Sequence, residues 1–175
     1  MKRNKIVAGN WKMNLDFEEA QTLIEDLEKL LDEKQPSCEV IICPPYPYLE
    51  LATDEASEHE LFEVGAQNVA AWDSGAYTGE VSAKMLDSIG VSCCIIGHSE
   101  RRKYFGEDNK TLAAKVNLAH AENRDDFILQ SQVHLCGKSF VVFTEIFSAL
   151  AVTDNAAAHS YRVEHLCRNL TSVSS

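Results

Sequence analysis

The chain has 175 residues, of which 45% are hydrophobic and 25% are charged, the ordinary proportions of a globular domain with its own core. Its net charge of −11 argues against a nucleic-acid partner, because phosphate backbones require a basic surface. The apolar runs are too short to span a bilayer, and the basic start of the chain lacks the long apolar region of a signal peptide. We therefore expect a cytoplasmic protein with no membrane partner.

Short apolar runs alternate with amphipathic segments over residues 1–123, which predicts an α/β fold with parallel strands. Strands are expected at residues 5–9, 38–43, 61–66 and 91–97. Helices are expected at residues 16–33, 46–57, 83–89 and 110–122, the first of them starting with a capping box formed by Asp16 and Glu19. Four such strand–helix units make half of a (β/α)8 barrel.

The alternation fades after Asn123. Residues 127–129 are a candidate fifth strand, residues 140–152 are almost continuously apolar, and polar residues dominate from 153 onward. We therefore divide the chain into a domain at residues 1–123 and an atypical tail at residues 124–175 with no clear architecture.

The cysteines show no Cys-x2-Cys pair, and their spacing matches no zinc template. Four of them lie in or beside strand-like runs, where a free cysteine behaves as a small buried hydrophobic residue. We expect neither a disulfide nor a bound metal from this set, which comprises Cys38, Cys43, Cys93, Cys94, Cys136 and Cys167.

Two loops that follow strands carry residues suited to chemistry, as expected where the strands of a parallel barrel end. Lys12 follows the first strand, where a cation can hold a phosphate or a developing anion, although a lone loop lysine is more often simply solvated. His98 follows the fourth strand and precedes a helical turn, whose positive potential disfavours the imidazolium. A neutral His98 can donate a hydrogen bond to a carbonyl oxygen, and Glu100 can orient groups or move a proton. Taken alone, this pair is equally compatible with a structural histidine.

Three stretches together resemble the triosephosphate isomerase family. They are GNWKMN at 9–14, the loop with GAQN at 65–68 and GAYTGEVS at 75–82, and GHSERR at 97–102. They occur in the family's order and near its spacing, and the resemblance covers about residues 4–122. It implies an α/β fold made of a partial TIM (β/α)8 barrel, with about four N-terminal βα units and an irregular C-terminal tail.

The resemblance also implies an activity: the interconversion of dihydroxyacetone phosphate and glyceraldehyde 3-phosphate in glycolysis and gluconeogenesis, without a cofactor or metal. Asn10 and Lys12 match the family's substrate-binding positions. His98 matches the neutral electrophile that polarises the carbonyl, a role for which triosephosphate isomerase is the familiar example. Glu100 matches a supporting acidic residue and is grouped with His98 as catalytic.

The loop at residues 67–82 resembles the family's dimer arm, in which Thr78 reaches the active site of the partner. The resemblance therefore implies a homodimer. The residues that match the arm are Gln67, Asn68, Tyr77, Thr78, Gly79 and Glu80.

The family's general base lies in a segment close to Tyr-Glu-Pro-Val-Trp-Ala-Ile-Gly-Thr-Gly, which the sequence does not contain. The nearest candidate is Glu145, whose neighbours lack the proline, tryptophan and glycines of that segment. Two interpretations stay open: a triosephosphate isomerase, or a truncated, inactive remnant that keeps the dimer arm and weak anion binding. We expect a frameshift, a mis-spliced gene model or a truncation to account for the tail.

Overall fold

A computed structural model of the chain describes residues 6–121, 128–130 and 140–142. Its strands form one parallel sheet in the order β5-β4-β3-β2-β1-β6. The first four strands curl into half of a (β/α)8 barrel, as the sequence predicts. The strands are β1 (Ile6–Asn10), β2 (Glu39–Cys43), β3 (Glu63–Ala66), β4 (Cys93–Ile96), β5 (Ile128–Gln130) and β6 (Phe140–Val142).

The helices follow the strands in chain order, close to their predicted bounds. A short 3-10 turn, Tyr46–Tyr48, precedes the second helix. A seven-residue helix after β4 is an addition, since the sequence indicated only a helical turn there. The helices are α1 (Phe17–Lys34), α2 (Leu49–His59), α3 (Ala83–Ser88), α4 (Ser99–Phe105) and α5 (Asn109–Ala121).

Two short strands lie in the segment that the sequence left without architecture. β5 pairs with β4 at one edge of the sheet, and β6 pairs with β1 at the other. β5 overlaps the candidate fifth strand at residues 127–129. β6 lies in the apolar run at residues 140–152, where no strand was predicted, because three residues are too few to show a period of two.

The predicted capping box opens α1. The Asp16 carboxylate accepts from the backbone N–H of Glu19 at 3.0 Å, and the Glu19 carboxylate accepts from the N–H of Asp16 at 2.9 Å. Two backbone donors that the helix leaves unpaired are thereby satisfied. This start fixes the point at which the loop after β1 ends.

Both faces of the strands are apolar, as expected for a parallel sheet. Alternate residues such as Val7, Ile42 and Ile96 pack in one cluster with buried residues of the helices. The intervening residues form a second cluster on the opposite face. Its members are Ile6, Ala8, Ile41, Cys43, Cys93 and Ile95.

The structure describes four cysteines, of which Cys43, Cys93 and Cys94 are buried and Cys38 is partly buried. Burial raises the pKa of the Cys93 thiol to about 12, so it stays protonated at neutral pH. The interpretation of these cysteines as hydrophobic packing residues is confirmed. Cys136 and Cys167 lie outside the described residues.

None of the helices in the described ranges is long and apolar enough to cross a membrane.

Gly65 lies where two thiols converge on β3. A Cβ atom at this position would stand 2.8 Å from the sulfur atoms of both Cys43 and Cys93, which is closer than packed atoms tolerate. We predict that Gly65→Ala lowers the free energy of unfolding by about 1–3 kcal/mol, the usual cost of overpacking a core. Urea unfolding of the two proteins measures the difference.

The double variant Gly65→Ala/Cys93→Ala tests the cause. The loss of stability caused by Gly65→Ala should be smaller in the Cys93→Ala protein than in the parent, because one of the two crowded sulfur atoms is absent. An unchanged unfolding midpoint in Gly65→Ala would contradict the steric account.

Candidate active site

His98 stands between β4 and α4 as the N-cap residue of that helix. Gly97, directly before it, takes the left-handed backbone with φ of 78° that glycine adopts without strain. The His98 ring is buried, and its Nδ1 accepts from the backbone N–H of Glu100 at 3.3 Å. An Nδ1 that accepts carries no proton, so the proton of the neutral ring lies on Nε2, where it can be donated to a ligand.

The surroundings of His98 favour this neutral form. Burial lowers the pKa of His98, the nearby Lys12 ammonium lowers it further, and Glu100 opposes them. The direction agrees with the sequence prediction, but burial rather than the helix N-terminus is the leading cause.

Lys12 and Glu100 form the ion pair that joins the first and fourth loops. Lys12 Nζ lies 2.7 Å from Glu100 Oε1, with the two side chains 28% and 44% exposed. The hydrogen bond from Lys12 lowers the pKa of Glu100 against a smaller opposing effect of burial. Glu100 Oε2 also lies 3.7 Å from His98 Nδ1, so the structure brings three of the predicted residues together.

The backbone of Lys12 is held in an unusual conformation, with φ of 56°. Its N–H donates to Oδ1 of Asn10 at 3.0 Å, and its carbonyl accepts from Nε2 of Gln67 at 2.9 Å. Gln67 Nε2 also donates to the carbonyl of Cys43 at 2.9 Å. Side chains at the ends of β1 and β3 thus offset the strain that a left-handed lysine carries.

The residues matched to the dimer arm divide into two groups. Gln67 and Asn68 face into their own chain, the first toward Lys12 and the second toward Lys115. The stretch from residue 77 to residue 80 is exposed, and the Tyr77 ring stacks on Trp72 with centroids 4.2 Å apart. The dimer role of the exposed stretch stays a prediction.

A buried ion cluster beneath the site was not anticipated from the sequence. Glu107 Oε1 accepts from Lys115 Nζ and Arg101 Nε, each at 2.6 Å, and Lys115 Nζ also lies 2.6 Å from Asn68 Oδ1. The signal was present, because Lys115 shares the inward helical face of Leu112 and Ala119. A lysine on that face must be buried and therefore needs a carboxylate partner.

We predict that Glu107→Gln lowers the free energy of unfolding by about 3–5 kcal/mol, because the buried Lys115 loses its counter-charge. Urea unfolding at pH 7 measures the change, and Asp73→Gln, on the exposed loop, is the charge-matched control. A loss of unfolding free energy no larger than that of the control would contradict the role of Glu107 as the counter-charge of Lys115.

The same cluster predicts a pH dependence. Burial raises the pKa of Glu107, but hydrogen bonds from Lys115 and Arg101 outweigh it, so the folded pKa lies below the ordinary value. The stabilisation is present above the unfolded pKa of about 4.3 and is lost as the pH falls through the folded value. Glu107→Gln should lack this part of the acid dependence.

For His98 we predict a pKa below 6.5, measured by NMR titration of the imidazole. Glu100→Gln should lower the value further, because it removes a neighbouring negative charge that favours the imidazolium, whereas Lys12→Met should raise it. A pKa that moves in the same direction in both variants would contradict this arrangement.

Comparison with known proteins agrees with this geometry. The family model for triosephosphate isomerase matches residues 5–128. A triosephosphate isomerase of Clostridium botulinum is 46% identical over 121 residues, covering 69% of this chain and 48% of that protein. One from Bacteroides fragilis is 48% identical over 119 residues, covering 68% of this chain and 47% of that protein.

The chain therefore spans about half the length of the curated relatives that it matches. Glu145, the candidate base, lies outside the described residues. The matched region contains β1 to β4, the loops after β1 and β4, and the Lys12–Glu100 ion pair. On the extent of the family match and the identity to these relatives, the chain belongs to the triosephosphate isomerase family.

Proposed function

We propose that this chain provides the electrophilic half of a triosephosphate isomerase site and interconverts dihydroxyacetone phosphate and glyceraldehyde 3-phosphate. The observation that carries the proposal is the meeting of a neutral, proton-donating His98 with the Lys12 ammonium at the ends of the strands. Family membership supplies the reaction; the geometry supports the roles of these two residues.

His98 acts on the carbonyl oxygen of the substrate. When a proton leaves the adjacent carbon, negative charge develops on this oxygen, and a hydrogen bond from Nε2 stabilises the resulting enediolate. A neutral donor is the better match to this charge, because its proton is not surrendered to the oxygen before the chemistry occurs. Burial of the ring strengthens the interaction by excluding water.

Lys12 acts on the anionic groups. Its ammonium has three N–H donors, one of which Glu100 occupies, leaving donors for a phosphate or for the developing oxyanion. In a chain of net charge −11, a local cation is needed to attract a dianionic substrate. Asn10 contributes by holding the Lys12 backbone.

Removal of the carbon-bound proton requires a base, and Glu145 is the candidate that this chain offers. A second function, substrate binding without turnover, is favoured because the sequence contains no segment that matches the one carrying the family's general base. In that case the chain binds the phosphorylated triose through Lys12 and His98 without turnover.

We further propose a cytoplasmic homodimer acting in glycolysis and gluconeogenesis. The support is the family relationship together with the exposed loop that carries Tyr77, Thr78, Gly79 and Glu80.

The test is isomerisation of glyceraldehyde 3-phosphate by the purified chain. We expect turnover that falls by about 10²–10³-fold in His98→Ala, the usual loss when a donor to an oxyanion is removed. Lys12→Met should weaken substrate binding, whereas Lys29→Met, which removes an exposed lysine of α1, should not.

The outcomes separate the two functions. Binding that depends on Lys12 without any turnover supports the non-catalytic alternative. Turnover that survives His98→Ala unchanged, or binding indifferent to Lys12, contradicts the proposed site.

A further inference from the structure

Three side chains with metal-binding groups converge between α1 and α2, away from the candidate active site. Glu28 belongs to α1, whereas Glu55 and His59 stand one helical turn apart on α2. His59 Nε2 lies 3.9 Å from Glu28 Oε2 and 4.0 Å from Glu55 Oε2. Ligand atoms of all three residues fit within 4.8 Å of one another.

These separations are too long for direct bonds between the side chains. A charge-assisted hydrogen bond between an imidazolium and a carboxylate has a length of about 2.7–2.9 Å. Both carboxylates therefore lie at long ion-pair distance from His59 without a direct hydrogen bond to it, which leaves space for an ion between them.

Glu28 supplies an independent observation. Its side chain is only 13% exposed, and its Oε1 is buried without a hydrogen-bond partner among the described residues. A buried carboxylate oxygen without a partner carries a large desolvation cost. The other oxygen, Oε2, is the one that faces His59, and because a carboxylate binds a cation through one or both oxygens, coordination of Glu28 can remove this cost.

Further carboxylates surround Glu28. Glu25 on α1 and Glu58 on α2 lie close enough to interact with it electrostatically, in addition to Glu55. The crowding of carboxylates on two packed helices costs energy that a divalent ion offsets.

We propose that Glu28, Glu55 and His59 bind a divalent transition-metal ion of the zinc type, which links α1 to α2. Imidazole nitrogen and carboxylate oxygen are both zinc ligands, and water can take the fourth position of a site with three protein ligands. Magnesium fits less well, because it prefers oxygen ligands alone in octahedral geometry.

Binding requires only a small closure of the side chains. Tetrahedral zinc with bonds of about 2.0–2.2 Å holds its ligand atoms about 3.4 Å apart, which is within a rotamer adjustment of the observed spacing. His59 and Glu55 are 45% and 33% exposed, so the ion can enter from solvent and both side chains have room to move.

The experiment titrates the full 175-residue chain with Zn²⁺, following heat of binding and thermal unfolding. The variants are Glu55→Gln and His59→Ala, with Glu58→Gln as a control that removes a neighbouring charge but no ligand. Zinc should raise the unfolding midpoint of the parent and of the control. It should bind roughly ten-fold or more weakly to each ligand variant, a loss of at least the size seen when outer-shell partners of metal sites are changed.

Cobalt(II) and magnesium complete the test. The cobalt complex should lack a thiolate charge-transfer band, since none of the proposed ligands is a cysteine. Equal zinc affinity in parent and His59→Ala, a thiolate band, or equal stabilisation by magnesium would each overturn the proposal. Circular dichroism of the metal-free variants checks their folding, and either ligand variant alone is sufficient for the comparison.

Discussion

The parallel arrangement of the strands is the constraint on which the candidate site depends. Because every strand of a parallel sheet ends at the same rim, side chains from the loops after β1 and β4 can meet although β2 and β3 lie between these strands. Lys12 and Glu100 are separated by 88 positions and still form a 2.7 Å ion pair. Without this common rim, Lys12 would lie too far from His98 to influence its protonation, whereas Glu100 acts from within the same loop.

The rim is held from below by hydrogen bonds that no single loop could supply. Gln67 bonds to the carbonyls of Lys12 and Cys43, which ties the loops after β1 and β2 to the end of β3. The buried pair of Glu107 and Lys115 continues this support to α4 through Arg101. Buried ions cost desolvation energy, so we interpret this cluster as fixing the position of α4, and hence of His98 and Glu100, rather than as a large net source of stability.

The sequence predicts the elements that have a local physical cause. The Asp16–Glu19 capping box, the four apolar strands and the position of His98 before a helix all follow from spacing and residue type. None of the seven residues of helix α4 is buried. Its sequence therefore shows no apolar periodicity from which the helix could be predicted. The helical period indicates that Lys115 lies on the inner face of α5, but it does not reveal the partners of polar side chains. Gln67 bonds to carbonyls in two other loops, and Asn68 and Glu107 both bond to Lys115. Family resemblance identified the loops, but the strain at Lys12 and its restraint by Asn10 and Gln67 required three-dimensional structure.

The distribution of charge explains how one acidic chain can offer both the proposed cation site and the proposed anion site. Carboxylates are concentrated on α1 and α2, where Glu28 sits among acidic neighbours that attract cations. The loop after β1 and helix α4 instead carry Lys12, Arg101, Arg102 and Lys103. Local potential falls off within about 10 Å at moderate ionic strength, so an anion at the strand ends responds chiefly to the nearby lysine and arginines. The net charge is therefore compatible with the proposed binding of a phosphate at the rim, and it makes the cations near the strand ends more important to that binding than they would be in a neutral protein.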